Sequence, residues 1–146
     1  MMDAAEFQTL AIRLCAGSQP AELRSATSRA YYAAFHTALG FLRSIGISIP
    51  SSPEFHTKVC YALENSGDSE VSIAGRKLTS LRRERNISDY DLSKMKAEDK
   101  QVVGNNVRSA NDVIDCINRC IAGGPKAGVH PAIRKYAKDV LGLIVT

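Results

Sequence analysis

Residues 20 to 44 carry two apolar stripes at helical spacing, and no other segment constrains the fold as strongly. Leu23, Ala26, Ala30, Ala34, Thr37 and Phe41 form one stripe; Ser28, Tyr31, Phe35, Leu39 and Leu42 form the other. A helix that leaves so little polar surface must be surrounded by other elements. Small residues at 26, 30, 33, 34 and 38 let those neighbours come close. Proline at position 20 opens the segment, where a missing N–H is no loss. A buried central helix is therefore predicted.

Helical periodicity extends over most of the remaining chain. Ala4, Phe7, Leu10, Ala11 and Leu14 mark a first helix that closes near Gly17. A third helix starts at Ser51-Ser52-Pro53-Glu54, with Ser51 and Glu54 at capping-box spacing, and stops at Asn65-Ser66-Gly67. Asp68 caps a fourth, whose stripe runs Val71, Ala74, Leu78, Leu81 and then, against the pattern, Arg85 and Ser88. After a break near 92 to 96, a fifth helix shows Val103, Asn106, Ala110, Val113, Ile114, Ile117 and Ile121 and ends at Gly123-Gly124-Pro125. A short helix over 131–142 follows His130-Pro131. SIGISIP, residues 44 to 50, is the nearest thing to a strand, and it is too short to be counted as one. The prediction is all-α: an up-and-down antiparallel bundle of five or six helices with short links, with its core bundle over 4–122.

A chain of 146 residues suffices for one domain with one core, here taken as 1–146. The N-terminus is acidic and amphipathic and lacks the basic start and apolar run of a secretory leader. No stretch is apolar enough to cross a membrane, so the expected location is cytoplasmic. Cys15, Cys60, Cys116 and Cys120 fall in helical segments and lack the spacing of a four-ligand metal site; they are expected to be buried free thiols. No phosphate loop, zinc-protease helix motif or nucleophile elbow is present.

The net charge is +4, and residues 76 to 85 account for as much by themselves: Arg76, Lys77, Arg82, Arg83 and Arg85 stand against a single Glu84. Positive charge gathered in one place points to a polyanion or to a solvated helix face. Arg85 is the unusual member because it occupies a seam position. A buried arginine must be paired. Asp89 stands one turn away, and Asn106 and Tyr90 are placed to complete a network. Two readings fit: a structural network, in which Arg85→Ala costs several kcal/mol by orphaning a buried carboxylate, or a groove that positions a phosphate in an arginine fork. Tyr31 and Tyr32 supply either core volume or rings on which a base can stack. Arg24 and Arg29 flank the same helix and extend a basic surface.

The segment RSATSRAYYAAFHTALGFLRSIG, followed by LRRERNISDYDL, resembles the HEPN superfamily (higher eukaryote and prokaryote nucleotide-binding domains). The resemblance spans roughly residues 5 to 121 and rests on Ser28 to Phe35 and Arg85 to Asp91. It implies a helical bundle that pairs as a homodimer, with the fourth and fifth helices at the contact and the two Arg85 side chains near a shared cleft. It implies binding of RNA or a nucleotide in a toxin–antitoxin or defence system, metal-independent RNA cleavage in active members, and partners such as a nucleotidyltransferase-like or antitoxin protein. Carried onto this chain, the catalytic positions are Arg85, Asn86, Asp89 and Tyr90. Arg76, Lys77, Arg82 and Arg83 would hold nucleic acid, and Tyr31, Tyr32 and Asn106 would support them. No metal or cofactor is implied. Active members place a histidine after a gap of four to six residues from the arginine, where this chain has Tyr90, Asp91 and Leu92. Histidine can take a proton from a 2′-hydroxyl near neutral pH, whereas tyrosine, with a pKa of about 10, is a poor base. Slow cleavage or none is the expectation, and a module that only binds a partner, or a plain structural bundle, remains beside it.

Overall fold

The computed structural model describes all 146 residues. Six α-helices make up most of it: α1 (Ala4–Cys15), α2 (Pro20–Ser44), α3 (Phe55–Glu64), α4 (Ser69–Tyr90), α5 (Lys100–Ala122) and α6 (Val129–Asp139). The central helix is α2, which packs against α1, α4 and α5. Ala26, Ala30, Ala34 and Ala38 are fully buried on it, as are Tyr31 and Leu42. Their lack of bulk is what lets three helices meet one. Phe35 and Phe41 are each 1 % exposed. Burying a ring of that size contributes about 1.5–3 kcal/mol, so α2 carries much of the driving force for folding.

Cross-helix contacts fix the directions. Moving up α2 through Arg24, Ser28 and Tyr32, the partners on α4 and just beyond run back down, from Asp91 through Asp89 to Arg85. Along α4 and α5, Glu70 meets Arg119 and Lys77 meets Asp112. Both pairs of helices are antiparallel: α4 and α5 through the short link between them, α2 and α4 with α3 between them in the chain.

Helix ends follow the sequence signals in most places. Asp3, Asp68 and Asp99 accept from backbone N–H groups at the starts of α1, α4 and α5. Gly123, with φ of 80°, stops α5 in a conformation that side-chain-bearing residues avoid. Gly75 lets α4 lie against the end of α3, where a β-carbon would come within 2.8 Å of the Glu64 backbone.

Three expectations are corrected. The Ser51–Glu54 capping box does not form; α3 begins at Phe55 without a side-chain cap, after a turn through 51–54. Helix α6 starts at Val129, so His130 lies inside its first turn, with its Nε2 2.9 Å from the Cys120 carbonyl and its ring against Phe41. A two-residue strand pair exists after all: β1 (Ile47–Ser48) aligns antiparallel with β2 (Ile144–Val145). All four cysteines are free, and only Cys15 is partly exposed. Burial raises the Cys120 thiol to about 11. No helix is long and apolar enough to cross a membrane.

Candidate nucleic-acid interface

Arg85 interrupts a stripe whose neighbours Val71, Ala74, Leu78, Leu81 and Ser88 are all buried, so its side chain is delivered to the α2–α4 seam and is only 16 % exposed. There it is held on three sides. Its Nε lies 3.1 Å from Asp89 Oδ2, but the N–H is not aligned for a hydrogen bond, and the contact is Coulombic. Nη1 donates to Asn86 Oδ1 at 2.8 Å, and Nη2 donates to the Tyr32 hydroxyl. The guanidinium carbon also lies 5.0 Å from the centre of the Tyr32 ring and 5.3 Å from that of Tyr90.

A second arginine stands beside the first. Arg29 Cζ is 5.1 Å from the centre of the Phe7 ring and 5.3 Å from that of Tyr32. Its Nη2 donates to Ser28 Oγ at 3.3 Å, and Ser28 Oγ donates to Asp89 Oδ2 at 3.0 Å. Arg29, Ser28, Asp89 and Arg85 thus form a continuous chain, with two guanidinium groups and one carboxylate. His36 extends it, its ring meeting Phe7 and Tyr32 at about 6 Å between centres. Partial burial, and then the charge of Arg43, hold His36 below its ordinary pKa. The result is a shelf of alternating cations and rings contributed by α1, α2 and α4. The largest clefts of the molecule are lined by other residues; on the shelf Phe7, Arg29, Tyr32 and Arg85 are half-buried, and His36 and Tyr90 are exposed.

The structure brings together Arg85, Asn86, Asp89, Tyr90 and Tyr32. It does not bring Asn106 to them. Asn106 Nδ2 donates instead to Thr27 Oγ1 on α2 at 3.2 Å, because Thr27 comes between α5 and the arginine seam. Tyr31 is also removed from any ligand: it is fully buried, and its hydroxyl is bonded to His56 Nδ1. Burial is the main cause of its raised pKa, which keeps the phenol protonated. His56, stacked 4.4 Å from the Phe35 ring, is pushed down first by burial and then by the charges of Arg82 and Arg85.

The basic run divides around its helix. Lys77 pairs with Asp112 on α5 at 2.7 Å, Arg82 donates to Thr57 on α3 at 3.0 Å, and Arg76 and Arg83 extend into solvent without a partner. Arg24 corrects the expected basic surface: it is 7 % exposed and caps the end of α4 from within. Phe7 and Ser28 were not predicted as part of a site. The spacing of Ser28 and Tyr32, one turn apart on α2, matches that of Arg85 and Asp89 on α4, but only the antiparallel pairing makes the two spacings coincide. Comparison with known proteins returns no matching family model, no similar curated protein and no similar solved structure.

Proposed function

We propose that this chain is a HEPN-like domain of a toxin–antitoxin or defence-type system that binds single-stranded RNA or a nucleotide on the Arg29–Arg85 shelf, acting as a homodimer with little or no cleavage. The observation that carries the reading is the placement of two half-buried arginines against three aromatic rings, one of them, Tyr90, exposed. Guanidinium groups donate to phosphate oxygens in a fork, and exposed rings take stacked bases without regard to sequence. Arg85 keeps N–H groups on both terminal nitrogens free of protein partners. Asp89 is engaged by Ser28 and Arg85, and Tyr90, 74 % exposed, replaces the family's histidine with a poor base.

A second reading, a module that docks a nucleotidyltransferase-like or antitoxin partner, is favoured by one observation. Tyr90, Leu92 and Met95 are each at least 70 % exposed and follow one another at the end of α4. Such a knuckle suits a protein contact.

One experiment separates the readings. A labelled single-stranded RNA is titrated without metal at several salt concentrations, with wild type, R85A and Y90H, while light scattering follows the mass. The expected result is binding that weakens steeply with salt, at least tenfold loss in R85A, no fast cleavage, and twice the chain mass of 15.8 kDa. Absence of binding at low salt removes the RNA reading and leaves the partner module. Fast wild-type cleavage abolished by R85A keeps the site and overturns the statement about chemistry.

A further inference from the structure

The largest cleft lies well away from the arginine shelf. It is walled on one side by the backbone from Gly46 to Pro50 and on the other by Gly142 to Ile144, so the β1–β2 pair forms part of its lining. Tyr32 and Arg43 are both on α2, and at the helical rise the cleft sits about 16 Å further along that helix. Its volume of about 590 Å³ lies within the range of sites that enclose small organic molecules.

Two side-chain cations line this cleft, Arg43 and Lys58, and no acidic side chain does; Thr146, whose main-chain oxygen is held by Arg134, completes the lining. Neither cation makes a side-chain hydrogen bond or an ion pair anywhere in the molecule. Other cations at clefts are compensated. A smaller cleft sets Lys77 and Arg119 against Glu70, Asp112 and Asp115, and Lys126 is held by Asp68 and Glu70. Arg134, close to the first cleft, has a structural task, donating to the carbonyls of Ile45 and Thr146. Arg43 lies in the last turn of α2, where the helix dipole favours a cation. Ile144, 70 % exposed, gives the same cleft an apolar wall.

We propose that this cleft binds a small organic anion, with its acidic group between Arg43 and Lys58 and an apolar body against Ile144. Charge complementarity selects the acidic head, and the volume leaves room for more than a bare inorganic anion. A carboxylate, sulfonate or phosphate on a body of one or two rings meets both conditions.

The test uses two probes that share a ring system: anilinonaphthalene sulfonate and the uncharged anilinonaphthalene. Each is titrated by fluorescence into the full chain, with wild type and the double variant Arg43→Gln, Lys58→Gln. Saturable binding of one sulfonate per chain is expected, with affinity at least tenfold above that of the uncharged probe. The double variant should lose that advantage while keeping the wild-type melting temperature, since Arg43 is exposed, Lys58 is only half-buried and neither side chain makes a hydrogen bond or an ion pair. Equal affinity for the two probes, absence of saturation, or full binding by a folded double variant would each overturn the proposal. A double variant that unfolds leaves the comparison of the two probes on wild type as the deciding measurement.

Discussion

Two arginines meet the end of α4 from different helices, and the molecule treats them in opposite ways. Arg24, reaching over from α2, is enclosed. It donates to the carbonyls of Ile87, Ser88, Asp91, Leu92 and Lys94, and its Nε bonds Glu98 Oε1 at 2.9 Å. The Ser88 and Leu92 carbonyls are acceptors that the helix end and the following turn leave without a backbone donor, while those of Ile87, Asp91 and Lys94 also accept from the N–H groups of Asp91, Lys94 and Ala97. Every donor of Arg24 has a protein partner, and nothing remains for a ligand. Arg85, on α4 itself, is held by a carboxylate, an amide and a phenol but keeps donors outward and rings on its faces. A residue's charge does not distinguish binding from building; the number of its donors left unpaired does.

Removing Arg24 is the most severe way to break this comparison. Arg24→Ala strands the Ser88 and Leu92 carbonyls and a partly buried Glu98, and truncation of one member of such a network costs about 3–5 kcal/mol. For a domain of this size that lowers the melting temperature on the order of 10 °C. Denaturant and thermal melts are the measurement. A loss below about 1 kcal/mol would mean that water replaces the arginine freely and that the end of α4 is solvated.

The helices, their order and several of their caps were legible because a 3.6-residue period and a capping aspartate are local signals. The Arg85–Asp89 pair was legible for the same reason, being one turn apart on one helix. Arg24 was misread because nothing local distinguishes a surface arginine from one that spans to another helix. Its partners are mostly backbone carbonyls, which every sequence has. Tyr32 could be named but not assigned, since its neighbour Tyr31 carries the same side chain and only packing decides which ring is buried. Asn106 occupies a stripe position as predicted, yet its partner Thr27 belongs to α2. The β1–β2 pair needs two segments far apart in the chain, each two residues long, and no alternation can be read in so few.

Arg85 should give a smaller stability effect and a larger functional one. Its carboxylate partner is 28 % exposed and is also held by Ser28, so Arg85→Ala does not abandon a buried charge. The expected loss is about 1 kcal/mol, well under the several expected from a fully buried pair. A double-mutant cycle with Asp89→Ala should report a coupling of about 0.5 kcal/mol. A coupling above 2 kcal/mol would show that Arg85 is a structural residue like Arg24 and would weaken its role as a ligand contact.

Histidine titration sharpens the contrast further. His36 and His56 both titrate below their ordinary value, from burial first and then from nearby arginines. The unfolded chain therefore takes up protons at these sites before the folded one does. Stability is fully present above the unfolded value of about 6.5 and is lost as pH falls from there through the lowered folded values. Arg85→Ala removes part of the field at His56, so its pKa should rise and the acid-side loss should shrink. Arg24→Lys should leave His56 where it is. Proton NMR of the imidazoles measures both shifts; an unmoved His56 in the Arg85 variant would place that guanidinium too far away to matter.

Lys77 should show the smallest effect, and it tests whether the basic run acts as one surface. It belongs to the same run of cations as Arg82, Arg83 and Arg85, but it turns toward α5 and meets Asp112 with both side chains well exposed. An exposed pair of this kind contributes about 0.5 kcal/mol or less, and salt screens it. Lys77→Ala should therefore leave the melting curve almost unchanged. It should also weaken RNA binding far less than changing Arg82 and Arg83 together, because its charge is already met by a carboxylate on the neighbouring helix. Equal losses in the two variants would mean that the ligand follows the whole of α4 and displaces Asp112. The binding face would then be the length of that helix, and the difference between paired and unpaired cations would no longer describe how this protein chooses its contacts.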